Sequence, residues 1–339
     1  MPLKDNMLRQ RNVRLDILRV LAIVECIISH ALLGESMSQT DYLWIIVFFP
    51  DTAAMFIMAS GAIILERPRS GCGWRYVAHR IMSFLPEFVL FSALYVFLNR
   101  YYGLIHPDSS VVQELFYMLI TPTWGPGWFI LALMGVYFVA PLLSAWVHSA
   151  GKREIEIGLL LWMCATLLPA VMPHTPVDVP LGTFGTLFNY AGYMVLGYYL
   201  VHWPLSSRSN AFKTAYFIAA VGIGVVFGFF LARSGAKWGY MPSLISGLSI
   251  NIVMVSLLQF GIVMMMPERW FKGIFARIVS FLSILSLGIY CCHWLVIGYW
   301  AIPQHVGWCV ATLVALAVSI PVACVMRWLR KTLTAAISK

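Results

Sequence analysis

Residues 127–147 read GWFILALMGVYFVAPLLSAWV and contain no Asp, Glu, Lys or Arg. About 20 consecutive apolar residues are enough for an α-helix to cross the hydrocarbon core of a bilayer. Runs of similar character recur along the whole chain, at 14–33, 42–65, 74–98, 127–147, 155–173, 184–202, 211–232, 243–266, 278–300 and 306–328. The sequence therefore predicts an all-α fold, a polytopic transmembrane bundle of about ten helices.

The overall composition supports the same fold class. Of the 339 residues, 60% are hydrophobic and only 11% are charged, whereas a soluble globular domain carries about 25% charged residues. No polar stretch is long enough to form a separate soluble domain. We therefore expect residues 1–339 to form a single integral membrane domain.

The positive charges predict how the helices are oriented. If the N-terminus lies inside, the inner segments hold 18 of the 23 Lys and Arg residues and the outer loops hold three. Such a bias is typical of cytoplasmic loops. We expect a multi-pass membrane protein with both termini in the cytoplasm. The same bias accounts for the net charge of +9, so no nucleic-acid partner is expected.

The seven cysteines show no C-x-x-C spacing of the kind that indicates a zinc or redox site. Cys291, Cys292 and His293 are consecutive, which is poor geometry for one tetrahedral ion. We interpret the cysteines as small apolar side chains and expect no metal. Residues 14–33 contain Arg19, Glu25 and His30 and no convincing cleavage site, so we expect a retained first helix rather than a signal peptide.

Ionisable side chains within a membrane span are costly and usually face a cavity or a partner. The candidates for such positions in the predicted spans are Asp16, Arg19, Glu25, His30, Asp51, Arg80, Glu87 and His293. Arg19 and His30 are 11 positions apart in the sequence, which places both on one helix face, roughly 16 Å apart along the axis. Asp16 precedes Arg19 by three residues and can pair with it. Alternatively, Arg19 is an interfacial side chain that extends to the membrane surface, and His30 bonds to a neighbouring helix.

His293 lies about 15 residues into the ninth span, and His30 about 16 residues into the first. Both spans are expected to run from inside to outside, so the two histidines lie at nearly the same depth. They are therefore candidates for lining one cavity. The alternative is two unrelated core histidines, each with its own partner.

Other polar and aromatic residues have two open interpretations each. Arg80 lies near the inner surface, where it would either hold a phosphate or anchor the helix. Glu87 would neutralise a cation in the same cavity, and Asp51 would accept a proton in the outer half; either carboxylate would otherwise belong to a structural ion pair. Trp128 opens the fourth span, where most Trp residues anchor the helix at the interface, and stacking on a sugar ring is the other possibility.

Five stretches resemble one known family, and they occur in the family's order over nearly the whole chain. They are LDILRVLAIVECIISH at 15–30, MFIMASG at 55–61, GWFILALMGVYFVAPLL at 127–143, YMVLGYYL at 193–200 and SLGIYCCHWLVI at 286–297. They are similar to the first, second, fourth, sixth and ninth helices of the acyltransferase-3 family of membrane acyltransferases.

The resemblance implies a reaction and its site. Members of that family transfer an acyl group, commonly acetyl, from cytoplasmic acyl-CoA to a sugar hydroxyl on the other side of the membrane. The family's first-helix Arg and His correspond to Arg19 and His30, and its glycine-tyrosine-histidine patch corresponds to Gly288, Tyr290 and His293. The third helix departs from the family pattern of two arginines three residues apart, because Arg75, His79 and Arg80 stand there.

Physical chemistry agrees with this assignment. Transfer to a hydroxyl needs a base, for which His is the usual choice, and the phosphates of CoA need positive charge, which Arg supplies. We expect acetyl-CoA as co-substrate, and a polysaccharide or lipid-linked sugar as acceptor. The expected roles are catalysis for His30 and His293, acyl-CoA binding for Arg19 and Arg80, and pocket lining for Asp16, Asp51, Glu87, Trp128 and Tyr290. Whether His30 is a base or is itself acylated is left open, and a permease or flippase is the alternative function.

Overall fold

A computed structural model of the chain describes residues 12–33, 52–67, 71–104, 110–117, 124–171, 190–203, 209–219, 221–222, 225–226 and 250–337. Within these ranges the regular secondary structure is helical. The labelled α-helices are α1 Val13–Leu32, α2 Ala53–Ile64, α3 Trp74–Met82, α4 Leu85–Tyr101, α5 Val111–Tyr117, α6 Trp128–Ser149, α7 Lys152–Val171, α8 Ala191–His202, α9 Ile250–Met265, α10 Gly273–Val296 and α11 Trp308–Ile337. The all-α prediction is confirmed for this part of the chain.

Three helical segments of the described ranges are long and apolar enough to cross a membrane: Gly125–Ser149, Gly273–Ala301 and Trp308–Arg330. A fourth crossing results if α3 and α4 act together. The helices α2 and α9 are apolar but shorter, and several predicted spans lie partly outside the described residues. The total of about ten spans therefore stays a prediction.

The predicted span over 74–98 is bent in the structure. Two helices, α3 and α4, occupy this stretch and meet at an angle of 41°. Pro86 stands in the first turn of α4. Proline is tolerated there because its missing N–H has no intrahelical partner at a helix start, but it cannot continue a helix from the preceding turn.

The outward face of α4 shows what surrounds the bundle. Its large exposed side chains recur at helical spacing: Leu90, Leu94, Phe97 and, in the last turn, Tyr101. The first three of them are wholly apolar. Phe88 and Tyr95 point the other way and are fully buried. An apolar stripe on the outside and another on the inside is the pattern of a helix between a protein core and lipid.

Helix α1 lies at the centre of the bundle, against α2, α10 and α11. Its acidic side chains are buried and bonded to neighbouring helices. Asp16 accepts hydrogen bonds of 2.7 Å from Ser280 and Ser283 of α10, and Glu25 accepts one of 2.9 Å from Gln259 of α9. The charged first span is thereby kept away from lipid, as polar groups in membranes require.

Helices α1 and α10 run parallel. Near their starts Asp16 bonds to Ser280 and Ser283, and near their ends His30 contacts His293. Helix α11 then runs back along α10, because its distal residue Arg330 lines the same cavity as Asp16. The start of α1 and the end of α11 therefore lie at one end of the bundle. We term it the basic end, after Arg19, Arg327 and Arg330.

Candidate active site

A cavity of about 770 Å³ opens at the basic end, between α1, α2, α3, α4, α6, α10 and α11. Arginines are its most prominent polar lining: Arg19, Arg67, Arg80, Arg327 and Arg330. Three acidic side chains, Asp16, Glu66 and Glu87, also reach it. The excess of fixed positive charge in a space this large suits a sizeable anionic ligand.

Two arginines of this cavity have donors without a partner among the described residues. The Nε atom of Arg80 and the Nη1 atom of Arg327 are shielded from solvent and make no hydrogen bond there. A buried donor left unsatisfied costs about 1–3 kcal/mol. Because such groups usually have a partner, these two indicate a ligand that accepts hydrogen bonds.

Glu87 belongs to an ion pair, one of the two interpretations that the sequence left open. It is buried, and one of its oxygens lies 3.5 Å from the Nη1 atom of Arg330. Arg330 also donates a hydrogen bond to the carbonyl oxygen of Ser83. These contacts tie the end of α11 to the bend between α3 and α4.

The two predicted histidines meet at the opposite end of α1 and α10. The Nδ1 atom of His30 lies 2.9 Å from the Nε2 atom of His293, and the rings are stacked with centroids 5.1 Å apart. Of the two interpretations of these histidines, the structure therefore favours the one in which their equal depth brings them together. His293 is fully buried.

Hydrogen-bond partners assign the protons of this pair. The Nδ1 atom of His293 lies 2.5 Å from the carbonyl oxygen of Tyr290. A carbonyl only accepts, so Nδ1 of His293 carries a proton, and in the neutral ring Nε2 is then an acceptor. His30 must donate to it from Nδ1. The Nε2 atom of His30 is consequently left with a lone pair, the form that a base or nucleophile requires.

A second, small cavity of about 20 Å³ adjoins His30. It is lined by Cys26, Ser29, His30, Thr52, Ala53, Phe56, Trp128, Phe129 and Tyr290. Trp128 and Tyr290, both expected near the site from the sequence, therefore lie at this cavity. The hydroxyl of Tyr290 donates to the carbonyl oxygen of Pro126, which fixes its ring beside His293.

Phe56 and Phe129 separate the two cavities. Both side chains line the large cavity and the small one, and their ring centroids are 5.6 Å apart. Phe56 comes from α2, and Phe129 from the first turn of α6. Among the described residues, these two rings lie between the arginines and His30.

The structure thus groups most of the predicted site residues in two places. Arg19, Arg80, Asp16 and Glu87 line the large cavity, while Trp128 and Tyr290 line the small one beside the His30–His293 pair. Asp51 lies outside the described residues. The sequence analysis missed three cavity arginines, which it counted only as cytoplasmic charge: Arg67, Arg327 and Arg330. The three-residue spacing of Arg327 and Arg330 on one helix face was the available signal.

Comparison with known proteins identifies the family. No curated protein and no solved structure shows significant similarity to the chain. A sequence model of the acyltransferase-3 family, described as an acyltransferase domain, matches residues 12–328. This range covers nearly the whole chain and, apart from Arg330, every residue that lines the two cavities. The chain therefore belongs to the acyltransferase-3 family of membrane acyltransferases.

Proposed function

We propose that this protein is an O-acetyltransferase that takes the acetyl group of acetyl-CoA bound from the cytoplasm. Its acceptor is a hydroxyl group of a surface or periplasmic polysaccharide, or of the lipid-linked precursor of one. The observation that carries the proposal is the arginine-lined cavity on one side of Phe56 and Phe129, with the paired histidines on the other.

The large cavity supports CoA as the donor. Its volume of about 770 Å³ lies within the range of ligand sites, about 300–1,000 Å³. Arginine binds phosphate through paired N–H groups, and Arg80 and Arg327 each have an unused donor among the described residues. Arg19 lies roughly 16 Å before His30 along α1, so phosphates held near Arg19 leave an extended thioester arm to reach the histidines.

His30 supports the chemistry of transfer. Its Nε2 lone pair accepts the proton of the acceptor hydroxyl while that oxygen attacks the thioester carbonyl carbon. The C–S bond breaks, and the CoA thiolate takes the proton from His30. His293 stabilises the protonated ring through the bond from Nδ1 of His30. Direct attack by Nε2 on the thioester, giving an acyl-histidine, uses the same lone pair.

The size of the small cavity supports acetyl over longer acyl groups. About 20 Å³ is open beside His30, which is little more than the space of one water molecule. Trp128, Phe129 and Tyr290 bound it with rigid rings. A two-carbon group needs only a small movement of these side chains, whereas a longer chain needs a much larger one.

The helix directions support the proposed topology of ten spans with both termini in the cytoplasm of a bacterial inner-membrane protein. Parallel α1 and α10 require an odd number of crossings between them, and the ten-span arrangement has seven. Helix α11 then returns to the side where α1 begins. The concentration of Lys and Arg indicates that this side is cytoplasmic, where acetyl-CoA is available.

The decisive experiment assays His30→Ala as a purified, folded protein that still binds acyl-CoA. We expect acetyl transfer to fall by about 10²–10⁴-fold, as is typical for loss of a general base. His293→Ala should keep more activity, and His148→Ala, an exposed histidine outside both cavities, should be unaffected. Near-normal turnover of folded His30→Ala would contradict the proposal. Solute flux across proteoliposomes without CoA turnover would instead indicate a permease.

Glycan analysis identifies the acceptor. Mass spectrometry of surface and periplasmic glycans from a deletion strain should show loss of an acetyl mass from one component. Complementation with the wild-type gene should restore that mass, and complementation with His30→Ala should not. Unchanged glycans in the deletion strain would remove this acceptor class.

A further inference from the structure

Cys26, His30 and His293 bring three potential metal ligands together. The Sγ atom of Cys26 lies 3.6 Å from Nδ1 of His30, and the ligand atoms of all three residues lie within 4.8 Å of one another. Cys26 and His30 are four residues apart on α1, so both project from one helix face. The proposed reaction requires nothing of the Cys26 thiol.

The distances can be compared with those of a tetrahedral zinc site. Zn–S and Zn–N bonds of about 2.3 and 2.05 Å place the sulfur and a nitrogen roughly 3.6 Å apart, and two nitrogens roughly 3.3 Å apart. The first value matches the separation of Cys26 and His30. The histidine nitrogens, 2.9 Å apart, need to separate by only about 0.4 Å.

The surroundings supply two further features of a zinc site. A metal-bound histidine usually donates its other ring N–H to a carbonyl or carboxylate, and His293 already donates from Nδ1 to Tyr290. The small cavity beside Cys26 and His30, at about 20 Å³, accommodates one water as a fourth ligand. Soft sulfur with two imidazoles suits Zn²⁺ better than Mg²⁺ or Ca²⁺.

We propose that Cys26, His30 and His293 form an inhibitory Zn²⁺ site, in which the ion replaces the hydrogen bond between the two histidines. Binding releases the thiol proton of Cys26 to solvent. The neutral ring of His30 keeps its single proton, which moves from Nδ1 to Nε2 when Nδ1 binds the ion. The lone pair that accepts the substrate proton is then lost. The inhibition, unlike the binding, rests on the proposed acetyltransferase function.

Metal binding is tested first, without any activity measurement. Co²⁺ is titrated into the purified full-length protein in detergent, and the absorption spectrum is recorded. We expect one ion per chain, the visible bands of tetrahedral Co²⁺ and a thiolate-to-metal charge-transfer band. Cys26→Ser should lose the charge-transfer band. Cys324→Ser, a half-buried cysteine outside the cluster, should keep it. Absence of stoichiometric binding in the wild type, or an unchanged spectrum in Cys26→Ser, would overturn the site.

Inhibition is tested second, as the ratio of transfer rates with and without Zn²⁺. The half-inhibitory Zn²⁺ concentration should rise at least tenfold in Cys26→Ala relative to Cys324→Ala. This is the lower end of the effect of removing even a supporting residue of a metal site. Equal inhibition of both variants would overturn the proposal. Co²⁺ binding in a protein whose metal-free form has no transferase activity would leave the site standing and would instead contradict the proposed function.

Discussion

Replacing Gly61 by alanine tests a close helix crossing in the described structure. Helices α2 and α8 cross at Gly61 and Gly197. A Cβ atom on Gly61 would lie 2.1 Å from the carbonyl oxygen of Met194, and one on Gly197 would lie 2.0 Å from that of Met58. Small residues allow this approach, which is the usual way that membrane helices pack closely.

The structure gives the size of the effect. Ordinary contact of a Cβ atom begins at 3.4 Å, so Gly61→Ala must separate the two backbones by about 1.3 Å. The obstructing atoms are backbone, and no change of rotamer relieves the clash. Overpacking of this kind costs about 1–3 kcal/mol and occasionally more. Because only backbone atoms obstruct the Cβ, we take the upper end of this range, about 3 kcal/mol. The better helix propensity of alanine returns about 1 kcal/mol, so we expect a net loss of about 2 kcal/mol.

Thermal unfolding of the purified protein in detergent measures this loss. A change of 1 kcal/mol shifts Tm by roughly 2–4 °C for 150–250 residues, and by somewhat less in a longer chain. We therefore expect the Tm of Gly61→Ala to fall by roughly 4 °C. Gly135→Ala on α6 is the matched control, because its Cβ would meet nothing within 4 Å. It should be neutral or slightly stabilised. Equal Tm values for the two variants would refute the close crossing.

Three other predictions concern topology, donor binding and acyl length. A reporter fused after Lys339 should give a cytoplasmic signal, and a periplasmic signal would mean an odd number of spans. Arg80→Ala should weaken acyl-CoA binding at least tenfold. Arg80→Lys should also bind more weakly, because the lysine ammonium lacks the planar pair of N–H groups with which arginine binds phosphate. The control is Arg153→Ala, at an exposed position, and equal binding by Arg80→Ala and Arg153→Ala would remove Arg80 from the donor site. Phe129→Leu should raise the rate with butyryl-CoA relative to acetyl-CoA, since it removes part of the ring that bounds the small cavity. An unchanged ratio would show that Phe129 does not limit chain length.

The contact between His30 and His293 could be predicted from the sequence. Its prediction needed only the helical rise of 1.5 Å per residue and the orientation given by the Lys and Arg bias. Those two rules place His30 and His293 at one depth, and the contact at 2.9 Å agrees. Depth arguments work here because a membrane restricts helices to two directions along one axis.

The sequence could not predict in the same way which side of α11 faces the cavity. Arg327 and Arg330 face the cavity because of how α11 packs against α10, for example where Ala323 approaches Gly288. That packing brings Arg327 and Arg330 to the same cavity as Arg19, which lies about 300 residues earlier in the sequence. The bend at Pro86, by contrast, had a local signal in the proline itself, which the hydropathy of the 74–98 run did not reveal.

The parallel helices α1 and α10 both extend from the large cavity to the histidine pair beside the small cavity. From Asp16 to His30 is 14 residues, and from Ser280 to His293 is 13, or roughly 21 and 20 Å of helix. The two helices are thus held in register at both ends, by the serine hydroxyls near the arginines and by the imidazoles near the small cavity. A shift of α10 by one residue would move His293 about 1.5 Å along the axis and break its bond to His30. The lone pair on Nε2 of His30 therefore depends on contacts made some 20 Å away, beside the cavity proposed for the donor.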